Sequence, residues 1–262
     1  MRKKNSVAPS LLHLFPFNIN KKIFYQIKNI NKFNIITATI AMSLCIYAIP
    51  EKASAACAPA PANGVTTTCD TSSVQTTTLG TGPGLDNVAI DVLPSAQIDT
   101  GEISAISLDS GSAITLQENA VVQNASHAPA DSGFWGNGEN AIEFNNDTTL
   151  TVERGAQVQA LGTAYPFANG AVHIIGAGNT ITNHGLIFST GGPAIRFETN
   201  VGGNTLDNYG TIAMSDANKI VIDSEYTNGV VSIINRTGGR IFGGILFGTG
   251  NYNITLEHGS VY

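Results

Sequence analysis

A short pattern of residues occurs three times between Ala171 and Phe247, and it restricts the chain to a narrow set of folds. Each copy joins a segment of alternating apolar and polar residues to an Asn, a turn and a Gly. The recurring asparagines are Asn183, Asn208 and Asn235, which stand 25 and then 27 residues apart. The apolar segments are centred on Ile195, Ile220 and Ile245, 25 residues apart each time. A period in this range is typical of stacked supersecondary units.

Alternation within each copy, as in Thr180-Ile181-Thr182, predicts short strands with one buried face and one face in water. We expect the Asn and Gly at each corner to supply the positive φ angles of a tight turn. A unit of two or three short strands that pairs only with its neighbours predicts an all-β fold, a right-handed parallel β-helix. An array of antiparallel hairpins is the alternative, but its strand partners would lie a few residues apart rather than a full period apart.

The composition divides the chain into three segments. We expect a leader over residues 1–55, an Ala-, Pro-, Thr- and Gly-rich spacer or cap over residues 56–85, and a single β-helical domain over residues 86–262. At about 25 residues and 4.8 Å per coil, the last segment predicts a solenoid of about seven coils, near 35 Å long. The final segment, Tyr252 to Tyr262, ends within a predicted strand, which indicates a chain that is cut short.

The leader has the features of a secretory signal peptide. Residues 1–34 contain seven Lys and Arg and no acid, and an apolar run follows from Ile35 to Ile49. That run is shorter than the roughly 20 residues that span a bilayer, and the small residues before Ala56 match a signal-peptidase site. We therefore predict cleavage after Ala55. A retained membrane anchor and a lipid attached to Cys57, which follows Ser54-Ala-Ala, are the alternatives.

Removal of the leader would leave a strongly acidic chain. The whole sequence has 13 Lys and Arg and 19 Asp and Glu. Residues 1–55 hold eight of the basic residues and one of the acids, which leaves five against 18, a net charge near −13. So few cations exclude a basic patch for nucleic acid or anionic lipid.

Two cysteines, Cys57 and Cys69, lie twelve residues apart in the spacer. Because the chain is predicted to leave the reducing cytosol, we expect a small disulfide loop there. Two free thiols are the alternative. Cys45 lies within the leader and would be removed with it.

The longest interruption of the repeat, residues 125–140, contains Trp135, the only Trp in the chain. Insertions in a solenoid become loops on one side and often carry the binding. Trp135, beside Phe134, is therefore the candidate contact residue. A loop folded back on its own aromatic residues is the alternative.

No motif in the chain indicates a catalytic, cofactor-binding or metal site, and we predict no cofactor. Asp109-Ser110-Gly111-Ser112 resembles part of a serine-protease motif, but no His precedes it in the mature chain to act as the general base. We interpret that segment as a turn between strands at Ile106 and Ile114. The segment from Gly202 to Asp207 lacks a Gly that a calcium-binding nonapeptide needs.

The histidines of the mature chain also lack the spacing of metal ligands. They are His127, His173, His184 and His258. His173 alternates with Val172 and Ile174, which predicts a solvent-facing side chain on a strand. His184 is predicted to lie in a turn.

A β-helix can also act on polysaccharides, which requires close carboxylates and, for a lyase, a basic residue that takes a proton. Stacking at about 4.8 Å per coil could bring Glu143, Glu198 or Asp223 together, whereas Asp223 and Glu225 are the closest acids along the chain. The mature chain has only five Lys and Arg, so it offers few basic residues that could take the proton in a lyase reaction. We predict that the protein is not an enzyme and keep a carbohydrate-active enzyme as the alternative, to be judged by whether carboxylates cluster in one groove.

The long basic leader, the Ala- and Pro-rich start with its cysteine pair, and coils of the form Asn-x-Ile-x-Asn-x-Gly-x-Ile together resemble the amino-terminal part of an autotransporter passenger. The resemblance covers nearly the whole chain and includes no diagnostic signature. It implies an exported, monomeric stalk at the surface or outside of a Gram-negative-type bacterium, with an adhesive role toward ligands on host or neighbouring cells.

Autotransporters carry their own translocator barrel as a further partner of the passenger. Residues 200–262 cannot supply such a barrel, because each membrane strand takes about 9–11 residues. The resemblance therefore implies a fragment or a truncated gene product. A small periplasmic or lipid-anchored β-helical protein is the alternative.

Overall fold

The computed structural model describes residues 56–163, 168–198 and 202–262. The predicted signal peptide, residues 1–55, lies outside the described residues. Across the described ranges, the search for a helix with the length and apolar character of a membrane span finds none.

Short strands stack in parallel into a β-solenoid of about seven turns, which confirms the predicted fold. The strands are numbered in chain order and form three sheets, each with roughly one strand from every turn. Sheet 1 contains β1 (Cys57–Ala58), β2 (Thr66–Cys69), β3 (Ala89–Val92), β6 (Ala113–Leu116), β9 (Thr149–Val152), β12 (Thr180–Asn183), β15 (Asn204–Asn208), β18 (Val230–Asn235) and β21 (Asn251–Leu256). Sheet 2 contains β4 (Gln97–Asp99), β7 (Val121–Asn124), β10 (Gln157–Ala160), β13 (Leu186–Ser189), β16 (Thr211–Met214) and β19 (Arg240–Phe242). Sheet 3 contains β5 (Ile106–Ser107), β8 (Ile142–Phe144), β11 (Val172–Ile174), β14 (Ile195–Phe197), β17 (Ile220–Ser224) and β20 (Gly244–Phe247).

The apolar residues of all three sheets meet in one continuous core inside the coils. In β6, for example, Ile114 and Leu116 are buried, whereas Ala113 is exposed and Thr115 is half-buried. Sheets 1 and 2 largely keep this alternation, as the sequence predicts. In sheet 3, all three residues of β8, β11 and β14 are buried, so the outer face of that sheet is covered as well.

The first turn of the solenoid lies within residues 56–85. Strand β2 pairs in parallel with β3, and Gln75 and Leu79 form bridges to Ile98 and Ile106 of the next turn. Strand β1 folds back antiparallel onto β2 and so covers the first edge of sheet 1. The predicted disulfide between Cys57 and Cys69 is present and joins these two strands.

The recurring asparagines play a different role from the predicted one. Asn183, Asn208 and Asn235 are register partners in sheet 1, and all three are fully buried. None of the three has a positive φ, so the expectation that they supply the turn geometry is wrong. Instead, Nδ2 of Asn183 donates to Oδ1 of Asn208 over 2.8 Å, and Nδ2 of Asn208 donates to Oδ1 of Asn235 over 2.7 Å. The amides form a ladder along the solenoid, which satisfies polar groups that burial would otherwise leave without a partner.

A second polar ladder lies at the start of the sheet 1 strands. It consists of the side chains of Ser112, Thr148, Asn179 and Asn204. The side-chain oxygen of each residue accepts a hydrogen bond from the backbone N–H of the equivalent residue in the preceding turn. This ladder accounts for the first Asn of the repeated pattern.

The corner glycines are required by close packing rather than by a positive φ. A Cβ on Gly185 would collide with the carbonyl oxygen of Ala156, and a Cβ on Gly210 would collide with the carbonyl oxygen of Gly185. Neither glycine has a positive φ. At this corner the backbones of successive turns approach so closely that no side chain fits between them.

One register differs from the simple repeat. Ile195 pairs with Ile222 rather than with Ile220, because the register shifts between Ile220 and Ile222 in β17. Ile222 in turn pairs with Ile245. The equal spacing of 25 residues therefore does not align the apolar side chains of this sheet.

Candidate functional site

The outer face of sheet 3 carries a column of polar and ionisable side chains. Parallel register aligns one residue from each of five successive strands, and the apolar residue before each of them faces the core. The column consists of Ser107, Glu143, His173, Arg196 and Asp223. All five are at least nine-tenths buried, although they face away from the core. The prediction that His173 faces solvent is therefore wrong.

The cover over this column includes the long insertion predicted from the sequence. Six residues connect β4 to β5, whereas 17 residues, 125–141, connect β7 to β8 in the following turn. Asn137, within the insertion, donates to Oε2 of Glu198 over 2.7 Å, and Asn140 contacts Glu143 and His173. The insertion is thus held to the outer face of sheet 3 by side chains from three turns.

Glu143 lies under the insertion and is 2% exposed. Its Oε1 accepts a hydrogen bond from Oγ of Ser107 over 2.7 Å, and its Oε2 accepts one from Nδ2 of Asn140 over 3.2 Å. Burial raises the pKa of Glu143 to about 7, and the nearby carboxylate of Glu139 adds to this rise. The two hydrogen bonds oppose the shift but do not cancel it. Glu143 can therefore hold or release a proton near neutral pH.

His173 is fully buried beside Glu143 in the column. Its Nε2 lies 3.1 Å from Oε2 of Glu198, and its Nδ1 lies 3.4 Å from Nδ2 of Asn140. The amide N–H can only donate, so this arrangement selects the tautomer that carries its proton on Nε2. Burial lowers the pKa of His173, although Glu198 opposes the shift. His173 is accordingly a neutral bridge between the insertion and Glu198.

The far end of the column contains an ion pair between the buried Arg196 and the half-buried Glu198. Nε of Arg196 lies 3.4 Å from Oε2 of Glu198, and Arg196 is the register partner of Asp223. Burial raises the pKa of Asp223. Oδ2 of Asp223 is buried and has no hydrogen-bond partner among the described residues. Register thus places Glu143 and Asp223 in one column with His173 and Arg196 between them, and Glu198 lies beside the column, 3.1 Å from Nε2 of His173. The three carboxyl groups that stacking could have gathered are therefore not adjacent to one another.

A cleft of about 420 Å³ opens the Glu143 end of the column to solvent. The insertion and the first turn each supply four of its lining residues, and Ser104, Ser107 and Glu143 of the turns between them supply the rest. The lining residues are Thr78, Gly80, Thr81, Pro83, Ser104, Ser107, Gly133, Phe134, Trp135, Glu139 and Glu143. Two carboxyl groups and an aromatic pair thus share one groove, and none of the lining residues is basic.

The aromatic pair of the insertion divides into an anchor and an exposed ring. Phe134 is buried and packs so closely on the first turn that a Cβ on Gly82 would lie 3.1 Å from its ring. Trp135 is 62% exposed, with its ring centroid 5.8 Å from that of Phe134. Phe134 therefore anchors the insertion on the first turn, whereas the Trp135 ring faces solvent.

The other candidate segments lie away from the cleft or have structural partners. Asp109 to Ser112 forms the turn between β5 and β6, as predicted, and Oδ1 of Asp109 accepts a hydrogen bond from Asn145 over 2.8 Å. His184 lies in a bend, as predicted, and its ring stacks on Tyr209 at 4.5 Å. The described ranges contain no group of three or more His, Cys, Asp or Glu that could hold a metal ion.

Two residues of the site, Glu139 and Asn140, were not singled out from the sequence. Both belong to the insertion, where no periodicity indicates which side chains face the solenoid. A usable signal was present in sheet 3 itself. The segments Ile142-Glu-Phe144, Val172-His-Ile174 and Ile195-Arg-Phe197 each place one ionisable residue between two core residues.

Comparison of the chain with protein families, with curated proteins and with solved structures finds no match.

Proposed function

We propose that this protein is an exported, passenger-like stalk that presents the 125–140 insertion as an adhesive element at a cell surface. The observation that carries the proposal is the exposed Trp135, which a loop anchored on a seven-turn solenoid holds at the rim of a polar cleft. A stacked solenoid satisfies its own backbone hydrogen bonds turn by turn, so it can extend as a stalk without further partners. The acidic composition without a basic patch favours recognition through aromatic and hydrogen-bonding groups rather than through charge.

Export is tested with the full-length chain in a Gram-negative host. We expect the protein to leave the cytoplasm and to begin at Ala56 when its amino terminus is sequenced, with Cys57 and Cys69 oxidised. Retention of residues 1–55 on a cytoplasmic product with both thiols free would contradict the exported role. A mature chain with a lipid on Cys57 would support the lipid-anchored alternative instead.

Adhesion is tested with the exported product immobilised on a surface. We expect host or bacterial cells to bind it, and we expect Trp135→Ala to reduce that binding while Tyr262→Ala does not. Tyr262 is also 62% exposed but lies outside the cleft, so it controls for the loss of an exposed aromatic ring. Equal binding of cells by the wild-type protein, Trp135→Ala and Tyr262→Ala would show that the insertion is not the adhesive element.

A carbohydrate-active enzyme is the second candidate, because Glu139 and Glu143 line one cleft and the pKa of Glu143 is about 7. Glycoside hydrolysis uses one carboxyl group as the proton donor and a second as nucleophile or base, and a pKa near 7 suits the donor. A broad polysaccharide-cleavage screen tests this candidate. Turnover that is lost in Glu143→Gln would support it, and the absence of turnover on every polysaccharide would exclude it.

A further inference from the structure

We propose that the cleft beneath Trp135 is a binding site for a neutral, hydroxyl-rich oligosaccharide whose sugar ring stacks on the Trp135 indole. This inference deepens the adhesive function and rests on it only in assigning the insertion as the contact element. Three features of the cleft fit such a ligand: the exposed face of Trp135, the hydrogen-bond acceptor Glu139, and the lack of basic residues in the lining.

The backbone holds Trp135 in a conformation that a bulky residue seldom adopts. Its φ is 56° and its ψ is 22°, inside the left-handed region. Such a conformation persists only where the surroundings impose it, and it is concentrated at binding and active sites. Here the neighbouring Gly133 packs against the backbone of Gly138, and Phe134 is buried against the first turn. The insertion is closed and anchored on both sides of an indole that remains in water.

An exposed indole at the rim of a polar cleft matches the two faces of a pyranose. The C–H face of a sugar packs on the aromatic ring, and its hydroxyl groups at the ring edge need polar partners. The cleft supplies those partners through Thr78, Thr81, Ser104 and Glu139. A purely apolar ligand would cover the Glu139 carboxylate without offering it a hydrogen-bond donor, at a cost in affinity.

Glu139 is fixed in place with acceptor capacity to spare. Its Oε2 accepts hydrogen bonds from the backbone N of Ser104 over 3.0 Å and from Oγ of Ser104 over 2.7 Å. No described residue donates a hydrogen bond to Oε1 of Glu139. A carboxylate oxygen held in this way can accept a hydrogen bond from a sugar hydroxyl without reorganising.

Charge decides which class of sugar the cleft accepts. The lining includes two carboxyl groups and no Lys, Arg or His, so a uronate, sialylated or sulfated glycan would meet repulsion without a compensating cation. The observations therefore favour neutral hexose or N-acetylhexosamine oligosaccharides.

The single Trp of the chain makes the site directly observable. Selective excitation of tryptophan fluorescence in the full-length protein reports on Trp135 alone. The probes are cellohexaose, maltohexaose and chitohexaose as neutral glycans, with hexagalacturonate as the anionic glycan. We expect at least one neutral oligosaccharide to shift the Trp135 emission saturably, and hexagalacturonate to cause no saturable shift.

Variants then locate the binding by calorimetry, which does not depend on the fluorophore. We expect Trp135→Ala to weaken affinity about tenfold or more, because the stacked face is removed. We expect Glu139→Gln to weaken it about fivefold, because the amide oxygen remains with Ser104 and the NH₂ group replaces the acceptor in the cleft. Tyr262→Ala should bind as the wild-type protein does, and each variant is first compared with it by circular dichroism and thermal unfolding.

Several results would overturn the inference. They are an absence of binding by every neutral probe at millimolar concentration, stronger binding of hexagalacturonate, and equal affinity of Trp135→Ala and the wild-type protein. If cells adhere through Trp135 but no neutral probe binds, the ligand class is wrong while the adhesive function stands. If neutral probes bind through Trp135 but cells do not adhere, the glycan site stands and the adhesive function fails.

Discussion

Asn183 donates a hydrogen bond from its side-chain amide to Oδ1 of Asn208 over 2.8 Å, inside the solenoid and out of contact with water. Nδ2 of Asn208 continues the ladder to Asn235. A buried amide that loses such a partner keeps its full desolvation penalty. The ladder therefore ties the alignment of three turns to the pairing of their side chains.

Substitution of the central member of the ladder should destabilise the fold. We expect Asn208→Ala to lower the free energy of unfolding by about 3 kcal/mol, because it removes two amide hydrogen bonds and leaves a small cavity. Urea denaturation measures this change. Asn253→Ala is the matched control, since Asn253 is exposed in β21, and it should change stability by less than about 0.5 kcal/mol. Equal effects of the two substitutions would refute a structural role for the ladder.

A methyl group at the tight corner should destabilise the fold about as much as Asn208→Ala does. We expect Gly210→Ala to cost about 3 kcal/mol, because its Cβ would overlap the carbonyl oxygen of Gly185 and force two turns apart. In Gly244→Ala the Cβ would lie 3.7 Å from the nearest atom, the carbonyl oxygen of Lys219, so this control should be neutral or slightly stabilising. Thermal unfolding of both variants is the measurement. A Gly210→Ala protein as stable as the control would show that the corner can open.

The pKa of Glu143 predicts a pH dependence of stability with a definite sign. Below pH 4.5 the carboxyl is protonated in both the folded and the unfolded state, and it contributes nothing to the pH dependence. As the pH rises from 4.5 to about 7, the unfolded state releases its proton first, so unfolding becomes more favourable. This loss amounts to about 3 kcal/mol when complete.

Glu143→Gln removes the titrating group and should remove this loss. We expect the melting temperature of Glu143→Gln, relative to the wild-type protein, to rise between pH 4.5 and 7 and to level off above pH 7. Scanning calorimetry over that range measures the difference. Asn253→Ala, at an exposed position without a titrating group, serves as the control, and its difference from the wild-type protein should not change with pH. A flat difference for Glu143→Gln would show that Glu143 ionises freely in the folded protein.

The disulfide should stabilise the first turn. Closing the twelve-residue separation between Cys57 and Cys69 restricts the unfolded chain, and the loop-closure model gives about 3 kcal/mol. We expect the double substitution Cys57→Ser and Cys69→Ser to lower the free energy of unfolding by about this amount. Treatment of the wild-type protein with a thiol reductant should reproduce the effect and should not affect the double variant further. A reductant effect of the same size on the double variant would point to another cause.

The fold could be predicted because its signal is local and repeated. Alternation around Ile181 and Leu206 identifies which side of each strand faces the core, and the recurrence of Asn183 as Asn208 identifies the stacking period. The position of Trp135 in an external loop followed from the same period, as an interruption of it. Stacking left open whether Glu143, Glu198 and Asp223 meet, and the structure places His173 and Arg196 between Glu143 and Asp223.

The burial of His173 could not be predicted, because alternation tells which side of the sheet a residue faces and not what covers that side. Asn137 and Asn140 reach across from an earlier turn to cover it, and nothing in the segment around His173 indicates that contact. The alignment of Ile195 with Ile222 was missed for a related reason. A register shift depends on how two turns fit together, so it leaves no periodic trace in either turn.

The sequence by itself determined the solenoid, because a repeated pattern of buried faces can be satisfied only when each turn stacks on another. It also placed the insertion and the cysteine pair, which are contiguous features of the chain. Only the tertiary structure decided the roles of the repeated Asn and Gly, since the Asn side chains pair between turns and the corner Gly lies against the backbone of the preceding turn. It also decided the properties of Glu143, whose pKa depends on burial by residues that are distant in the sequence and adjacent in space.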